Sequence, residues 1–382
     1  MNYSFYNPVK LLVGQGNFSK LGDETAVYGK KALIVTYPGQ PFDDFTSKAV
    51  SFLQKSGVEH VLFAKAEANP MASTVREGAD FAKKEGCDVV VGIGGGSAMD
   101  LAKGIAFLTG KDGDIFDYIL GNKTGTSSLP IILLTTTAGT GSEANWTAVF
   151  TNDTTLEKKG LVNPLNFPKT AIIDPDFMTT LPKPLIAGPG LDALFHAFES
   201  YISVNAHPIS EMYSLEAMRL SVENLPKVYD NPKDMDAWEK VILANTLAGI
   251  AIGCAGTTVP HAMGQPISGL LNAAHSDSLI AVYIPFMKFT APHCTKKFAK
   301  LAEIMGCGDG SEAEAANKSI AAMEAFIKKL DAHKTLKDLG VNEGHLDKLT
   351  EVTTNIMGKV LANNPVVPTA QEVKEMYSQC LI

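Results

Sequence analysis

Four side chains of the kinds that hold a divalent ion stand out from the chain. Asp192 and His196 lie four residues apart in a stretch, Gly190 to Glu199, whose apolar residues recur with helical spacing, so both project from one face. An isolated pair of this sort is ordinarily a carboxylate beside a surface histidine. Two further histidines shift the balance: His261 in TVPHAMG and His275 in NAAHSD sit in largely apolar surroundings, where a lone imidazole needs a partner. One carboxylate and three imidazoles make a nitrogen–oxygen donor set suited to Fe²⁺ or Zn²⁺. A single anionic ligand leaves such an ion net positive, which suits a Lewis acid with an open position. His60, His207, His293, His333 and His345 lack this pairing and read as surface or packing residues.

A second constellation precedes the first. Val89-Val90-Val91-Gly92-Ile93 runs into Gly94, Gly95 and Gly96, followed by Ser97 and Asp100. A buried strand entering three consecutive glycines and then a helix lets a ligand approach the backbone, and the amides at the helix start favour a pyrophosphate. The plainer reading is a tight turn that binds nothing. A GxGxxG fingerprint is absent in that register, and Gly14-Gln15-Gly16, which has only a short apolar stretch before it, reads as structural. A second polar turn, Thr136-Thr137-Ala138-Gly139-Thr140-Gly141-Ser142-Glu143, follows another apolar run and faces the same ligand if the two strands are neighbours in an open sheet. The turn Tyr37-Pro38-Gly39-Gln40-Pro41 carries no acid before Asp43, so nothing there repels a 2′-phosphate; this favours NADP, with NAD as the alternative.

The elements that must position these groups divide into two kinds. Lys31–Thr36, Glu59–Phe63, Asp88–Gly92, Pro130–Thr135 and Thr170–Asp174 read as short buried strands, with helices near Phe45–Ser56, Thr74–Glu85 and Ala98–Phe107 between them. That alternation predicts an α/β unit with a parallel sheet. Beyond Thr180-Leu181-Pro182 the spacing is helical, about Asp192–Ser203, Pro208–Leu225, Ala237–Gly253, Phe298–Ile304 and Glu312–Leu330. The expected domains are residues 1–182, α/β and dinucleotide-binding, and 183–382, helical and carrying the metal and substrate sites.

Composition excludes several classes. The chain has 382 residues, 45% hydrophobic and 19% charged, with a net charge of −8. An acidic chain without a basic run is a poor match for a phosphate backbone, so no nucleic-acid partner is expected. Five scattered cysteines without a CxxC pair point to neither a disulfide framework nor a cysteine zinc site. No secretory leader is evident, and Leu243–Val259, the most apolar stretch, is interrupted by Asn245, Thr246, Thr257 and Thr258 and reads as a buried helix, not a membrane span. A cytoplasmic protein is the expectation.

Taken together, the GGGSAMD turn at 94–100 with Lys103, the TTAGTGSE turn at 136–143, Ile173-Asp174-Pro175, and Asp192-Ala193-Leu194 followed by Glu199 resemble the blocks of the iron-containing, metal-dependent (group III) alcohol dehydrogenase family, over nearly the whole chain. The resemblance implies a Rossmann-like cofactor domain, then an all-α domain, in the dehydroquinate synthase-like architecture, with the active site in the cleft between them. It places Asp192, His196, His261 and His275 on the four metal-ligand positions. It places Asn69, Gly94 to Ser97, Asp100, Thr137, Thr140 and Thr147 near the cofactor, and Lys158 near the nicotinamide ribose. Members preferring NAD carry an acid at about Tyr37, so the resemblance agrees with NADP. It also implies a dimer or larger homo-oligomer, and hydride transfer between NAD(P)(H) and a small alcohol or aldehyde whose oxygen the metal polarises.

Three positions depart from the family pattern. Gln265 stands where many members have a second histidine in HxxxH; it cannot shuttle a proton but can hydrogen-bond substrate or water. Ser276-Asp277 follows His275 where glycine is common, and Pro189 replaces a smaller residue before Asp192. Rival readings are an enzyme similar to dehydroquinate synthase or glycerol-1-phosphate dehydrogenase, disfavoured because residues 261–275 offer no cation for a substrate phosphate, and a relative that binds cofactor without turnover.

Overall fold

Strand β2 (Lys31–Val35) shows how the sheet is built. Leu33 and Val35 face one hydrophobic core, whereas Ala32 and Ile34 face another, and all four are fully buried. A strand buried on both faces must lie inside a sheet covered by helices on each side. The computed structural model, which describes residues 2–381, has that arrangement. Eight strands occur among the described residues: β1 (Lys10–Val13), β2, β3 (Glu59–Phe63), β4 (Val89–Gly94), β5 (Ile131–Thr135), β6 (Thr147–Thr151), β7 (Lys158–Val162) and β8 (Thr170–Ile173). Six form a wholly parallel sheet in the order β1-β8-β5-β4-β2-β3, and β6 and β7 pair as an antiparallel ribbon.

Helices α1 (Leu21–Ala26) and α2 (Phe42–Lys55) contribute Leu21, Ala49 and Leu53 to one core. Helices α3 (Ala72–Glu85), α4 (Gly96–Leu108) and α5 (Ile115–Ile119) contribute Val75, Leu101, Ile105 and Ile115 to the other. The chain leaves β2 toward β3 on one side but leaves β4 toward β5 on the other, so the order reverses between β2 and β4. In open parallel sheets ligands bind outside the carboxyl ends of strands at such a reversal.

The five strands expected from the apolar runs are all present. Strand β1 shows in the sequence as only a short apolar stretch; it has four residues and sits at the sheet edge, where half-exposure gives no buried-strand signature. The β6–β7 ribbon was also unforeseen, since its Lys158-Lys159-Gly160 start lacks strand-forming composition.

The remaining helices are α6 (Lys183–Ile202), α7 (Pro208–Asp230), α8 (Met235–Ala255), α9 (Val259–Leu271), α10 (His275–Thr290), α11 (Thr295–Ile304), α12 (Glu312–Lys329), α13 (Leu346–Asn355), α14 (Gly358–Leu361) and α15 (Ala370–Gln379). Two compact units result: Tyr6–Thr179, and the chain from Thr180 onward together with the amino-terminal residues through Phe5. Tyr3 belongs with the helices because its ring stacks on His207 at 4.5 Å.

Helix α8 is long and apolar enough to cross a membrane by length and composition, but most of its apolar window is buried within the protein, as in a core helix. Helices α9 and α10 escaped the periodicity reading because Pro260, Pro266 and Pro285 interrupt the pattern. Pro260 stands in the first turn of α9, where no intrahelical amide bond is required. Pro189 likewise falls inside α6, and the helix continues through it.

Candidate functional site

Helix α6 sets the first part of the site. Asp192, His196 and Glu199 occupy positions i, i+4 and i+7, so one helical face presents all three, and all are buried. His261 is the third residue of α9, and His275 is the first residue of α10. The four expected ligands converge. His196 Nε2 and His261 Nε2 each lie 3.6 Å from Asp192 Oδ1. The His196 and His261 rings stack at 4.6 Å, and His261 meets His275 edge-on at 5.3 Å. One donor atom from each of Asp192, His261 and His275 lies within 4.8 Å of the others.

Charge and burial make this cluster unusual. Asp192 Oδ1 and His261 Nε2 are buried without a hydrogen-bond partner. Leaving such atoms unsatisfied costs about 1–3 kcal/mol each, more for charged groups. Burial by itself would raise the Asp192 carboxyl, but the imidazoles of His196, His275 and His261 outweigh it and hold the group well below the usual carboxylate range. Burial would lower the His261 imidazole, but the carboxylates of Glu199 and Asp192 push it up to about 9. A divalent cation satisfies both orphaned atoms at once, and the donor set is one that Fe²⁺ and Zn²⁺ accept. The residues present therefore fit the metal.

Glu199 is the residue whose part the sequence reading missed. Its Oε1 lies 2.8 Å from His261 Nδ1, and its Oε2 accepts from the Thr258 amide at 2.7 Å and the Thr258 hydroxyl at 3.3 Å. The i+7 spacing from Asp192 was the available signal. Gln265 lies one turn beyond His261 on α9, with its buried Oε1 lacking a hydrogen-bond partner.

The glycine turn occupies the carboxyl end of β4 and the start of α4. Gly94 ends the strand with φ of +152°, a region that L side chains rarely adopt. Gly95 precedes the helix with no side-chain cap, so the amides of Gly96 and Ser97 at the start of α4 can face an anion. A Cβ at Gly94 would come within 3.1 Å of the Tyr37 ring, one at Gly95 within 2.9 Å of Thr137 Oγ1, and one at Gly96 within 2.4 Å of Thr140 Cγ2. Tyr37, the three glycines, Thr137 and Thr140 thus share one place, at the reversal between β2 and β4. Burial raises the Tyr37 phenol, with the Ser97 side chain and Ala98 backbone opposing it through hydrogen bonds.

Other expected cofactor residues also make contacts within the fold. Asp100 uses both oxygens inside the protein, accepting from Ser142 Oγ at 2.7 Å and the Val149 amide at 2.9 Å. Thr136 donates its amide to the Gly94 carbonyl at 3.0 Å. Lys103, fully buried, donates to the carbonyls of Ser142, Asn145 and Thr147 at 2.6, 3.0 and 2.8 Å, tying the 136–143 turn to α4. Burial lowers its amine to about 8, against the raising effect of Asp100 and Glu143. Asn69, at φ of +54°, accepts from Lys158 Nζ at 2.8 Å, so these two come together. Lys158, not Lys159, is the buried member of the lysine pair.

Comparison with known proteins places these features in context. A family model described as iron-containing alcohol dehydrogenase matches residues 8–175, and its carboxyl-terminal counterpart matches residues 186–381. A 1,3-propanediol dehydrogenase of Citrobacter freundii is 34% identical over 384 residues, covering 99% of this chain and 97% of the relative. An NAD-dependent methanol dehydrogenase of Bacillus methanolicus is 32% identical, covering 99% and 100%. Among solved structures, an archaeal halo-thermophilic alcohol dehydrogenase from a Red Sea brine pool superposes with a TM-score of 0.95 at 32% identity, covering 100% of this chain and 99% of that one. The NADH-dependent butanol dehydrogenase A of Thermotoga maritima gives 0.92 at 30%, covering 99% and 98%.

Proposed function

The chain belongs to the iron-containing alcohol dehydrogenase family, and on that basis we propose that it interconverts a small alcohol and its aldehyde with a nicotinamide cofactor and a divalent ion held by Asp192, His196, His261 and His275. It is an oxidoreductase acting on a CH–OH group. The readings as a dehydroquinate synthase-like or glycerol-1-phosphate dehydrogenase-like enzyme, or as a relative without turnover, are not favoured. The observation that carries the metal assignment is the pair of orphaned, buried donor atoms, Asp192 Oδ1 and His261 Nε2, inside a cluster of three imidazoles.

When bound, the nicotinamide exchanges two electrons and the ion acts as Lewis acid toward the substrate oxygen. The chain's own residues prepare that chemistry. Asp192 supplies the one carboxylate among the four ligands, leaving the centre net positive. The uncapped start of α4 receives the cofactor pyrophosphate, with Gly95 and Gly96 permitting close approach and Thr137 and Thr140 bordering it. Gln265 offers an amide to the substrate or a water and cannot itself exchange a proton, so proton transfer would fall to water. Asn69 and Lys158 stand on the cofactor side of this reading.

Cofactor choice is proposed as NADP, with NAD as the competitor. Tyr37, neutral and packed beside Gly94, follows β2 where NAD-preferring relatives are expected to carry an acid. The Bacillus and Thermotoga proteins, named for NAD and NADH, make a direct comparison necessary. The metal is proposed as Fe²⁺ or Zn²⁺, the location as the cytoplasm, and the assembly as a dimer or larger homo-oligomer. Elemental analysis of anaerobically purified protein, followed by NADPH and NADH rates with butanal, tests the reading. Stoichiometric iron or zinc with turnover supports it; no ion and no turnover with either metal would overturn it.

A further inference from the structure

We propose that Glu199 is a positioning residue that fixes His261 with its proton on Nδ1 and its Nε2 lone pair toward the ion, and thereby governs how tightly the metal is retained. The inference rests on the metal reading above. Glu199 is fully buried, with one carboxylate oxygen on His261 Nδ1 and the other on Thr258. Oε2 accepts twice from Thr258, and with Oε1 likewise an acceptor the 2.8 Å contact has His261 Nδ1 as its donor. In a neutral ring the other nitrogen then carries the lone pair. That nitrogen, Nε2, is the one that lies 3.6 Å from Asp192 Oδ1 without a hydrogen-bond partner.

The second oxygen anchors the first. Thr258 immediately precedes α9, and its amide and hydroxyl both donate to Glu199 Oε2. Thr258 lies three positions before His261, so the carboxylate holds the start of the helix and the ring it orients by a single rigid bridge from α6. A negative charge at the beginning of α9 also suits the helix dipole. Neutral glutamine has nearly the same shape but cannot replace this bridge. Its one carbonyl accepts from either His261 or Thr258, and its NH₂ group then opposes a donor or turns His261 to the other tautomer.

The test compares metal uptake by wild type, Glu199→Gln and Thr258→Val, using Co²⁺ and Zn²⁺ alone in competition with a chelator. Loss of an outer carboxylate partner of a ligating histidine costs about 10–100-fold in affinity. Glu199→Gln is therefore expected to weaken both ions by that factor, to release them faster, and to alter the visible Co²⁺ absorption. Thr258→Val loses only the 3.3 Å hydroxyl contact and is expected to stay within a few-fold of wild type. A second measurement needs no variant to fold: nitrogen-15 correlation spectra of histidine-labelled, zinc-loaded wild type should show His261 protonated at Nδ1. Unchanged Co²⁺ affinity and spectrum in Glu199→Gln, or a proton on Nε2, would overturn the proposal while leaving the metal site standing. Wild type that binds neither ion would instead overturn the metal reading, and this inference with it.

Discussion

Asp192 Oδ1 and His261 Nε2 face each other at 3.6 Å, on helices that begin 76 residues apart in the chain, and neither has a hydrogen-bond partner. Like separation holds between Asp192 Oδ1 and His196 Nε2. Asp192→Asn keeps the volume but removes the charge that balances the imidazoles. It is expected to abolish stoichiometric metal and lower kcat/KM by about a thousandfold, a loss of roughly 4 kcal/mol in transition-state stabilisation. Elemental analysis beside steady-state kinetics checks this, and a variant that kept its metal and its rate would remove Asp192 from the ligand set.

The glycine turn makes a steric prediction. Gly96→Ala would put Cβ 2.4 Å from Thr140 Cγ2, displacing the threonine from the border of the glycine turn. Dinucleotide affinity is expected to fall about tenfold or more, near 1.4 kcal/mol. Adding Thr140→Ala removes the clashing methyl and should restore part of the loss. Fluorescence titration with NADPH measures both; an additive double variant would show that the contact is not the cause.

Tyr37 is the position at which to test cofactor choice. Tyr37→Asp places a carboxylate beside Gly94 and the start of α4, where it repels a 2′-phosphate and accepts from a 2′-hydroxyl. The ratio of kcat/KM for NADPH over NADH is expected to drop at least tenfold. An unchanged ratio would move the discriminating position elsewhere.

Lys103 gives a pH signature. The unfolded chain keeps its amine at the ordinary 10.5, whereas burial lowers it to about 8 in the folded protein. Between those values the unfolded state binds more protons, so this residue's contribution to stability rises with pH from about 8 to 10.5 and is smallest below 8. Lys103→Met leaves the carbonyls of Ser142, Asn145 and Thr147 without that donor. At neutral pH it should destabilise the α/β unit by about 2–4 kcal/mol. The gap to wild type should widen toward pH 10, as read by urea unfolding; a gap that narrows would contradict the assigned shift.

Gln265 separates two proton routes. If protons leave by water and not by the side chain, Gln265→Ala raises KM several-fold through the lost hydrogen bond and leaves the pH–rate profile in place, whereas Gln265→His introduces a new ionisation between about pH 6 and 8. A profile altered by the alanine variant would give Gln265 a direct part in proton movement.

Residue types and spacing were enough to point to four side chains that the fold brings together, to the glycine turn and to the change from α/β to helical structure. The i, i+4 pair and the strand-glycine-helix junction are local signals: they depend on neighbours a few residues away, and the backbone geometry that realises them is set by the same few residues. Strand β1, the β6–β7 ribbon and helices α9 and α10 were not legible, because edge exposure, a lysine-rich start and helix-interrupting prolines mask their periodicity.

Only the tertiary structure decided that Tyr37 meets Gly94 at the reversal of strand order, that Asp100 and Lys103 bond the turn from inside, and that Glu199 meets His261. Each of these depends on contacts across dozens of residues, from 39 between Lys103 and Ser142 to 62 between Glu199 and His261. Packing of separate elements, not local propensity, determines which buried polar atom finds which partner.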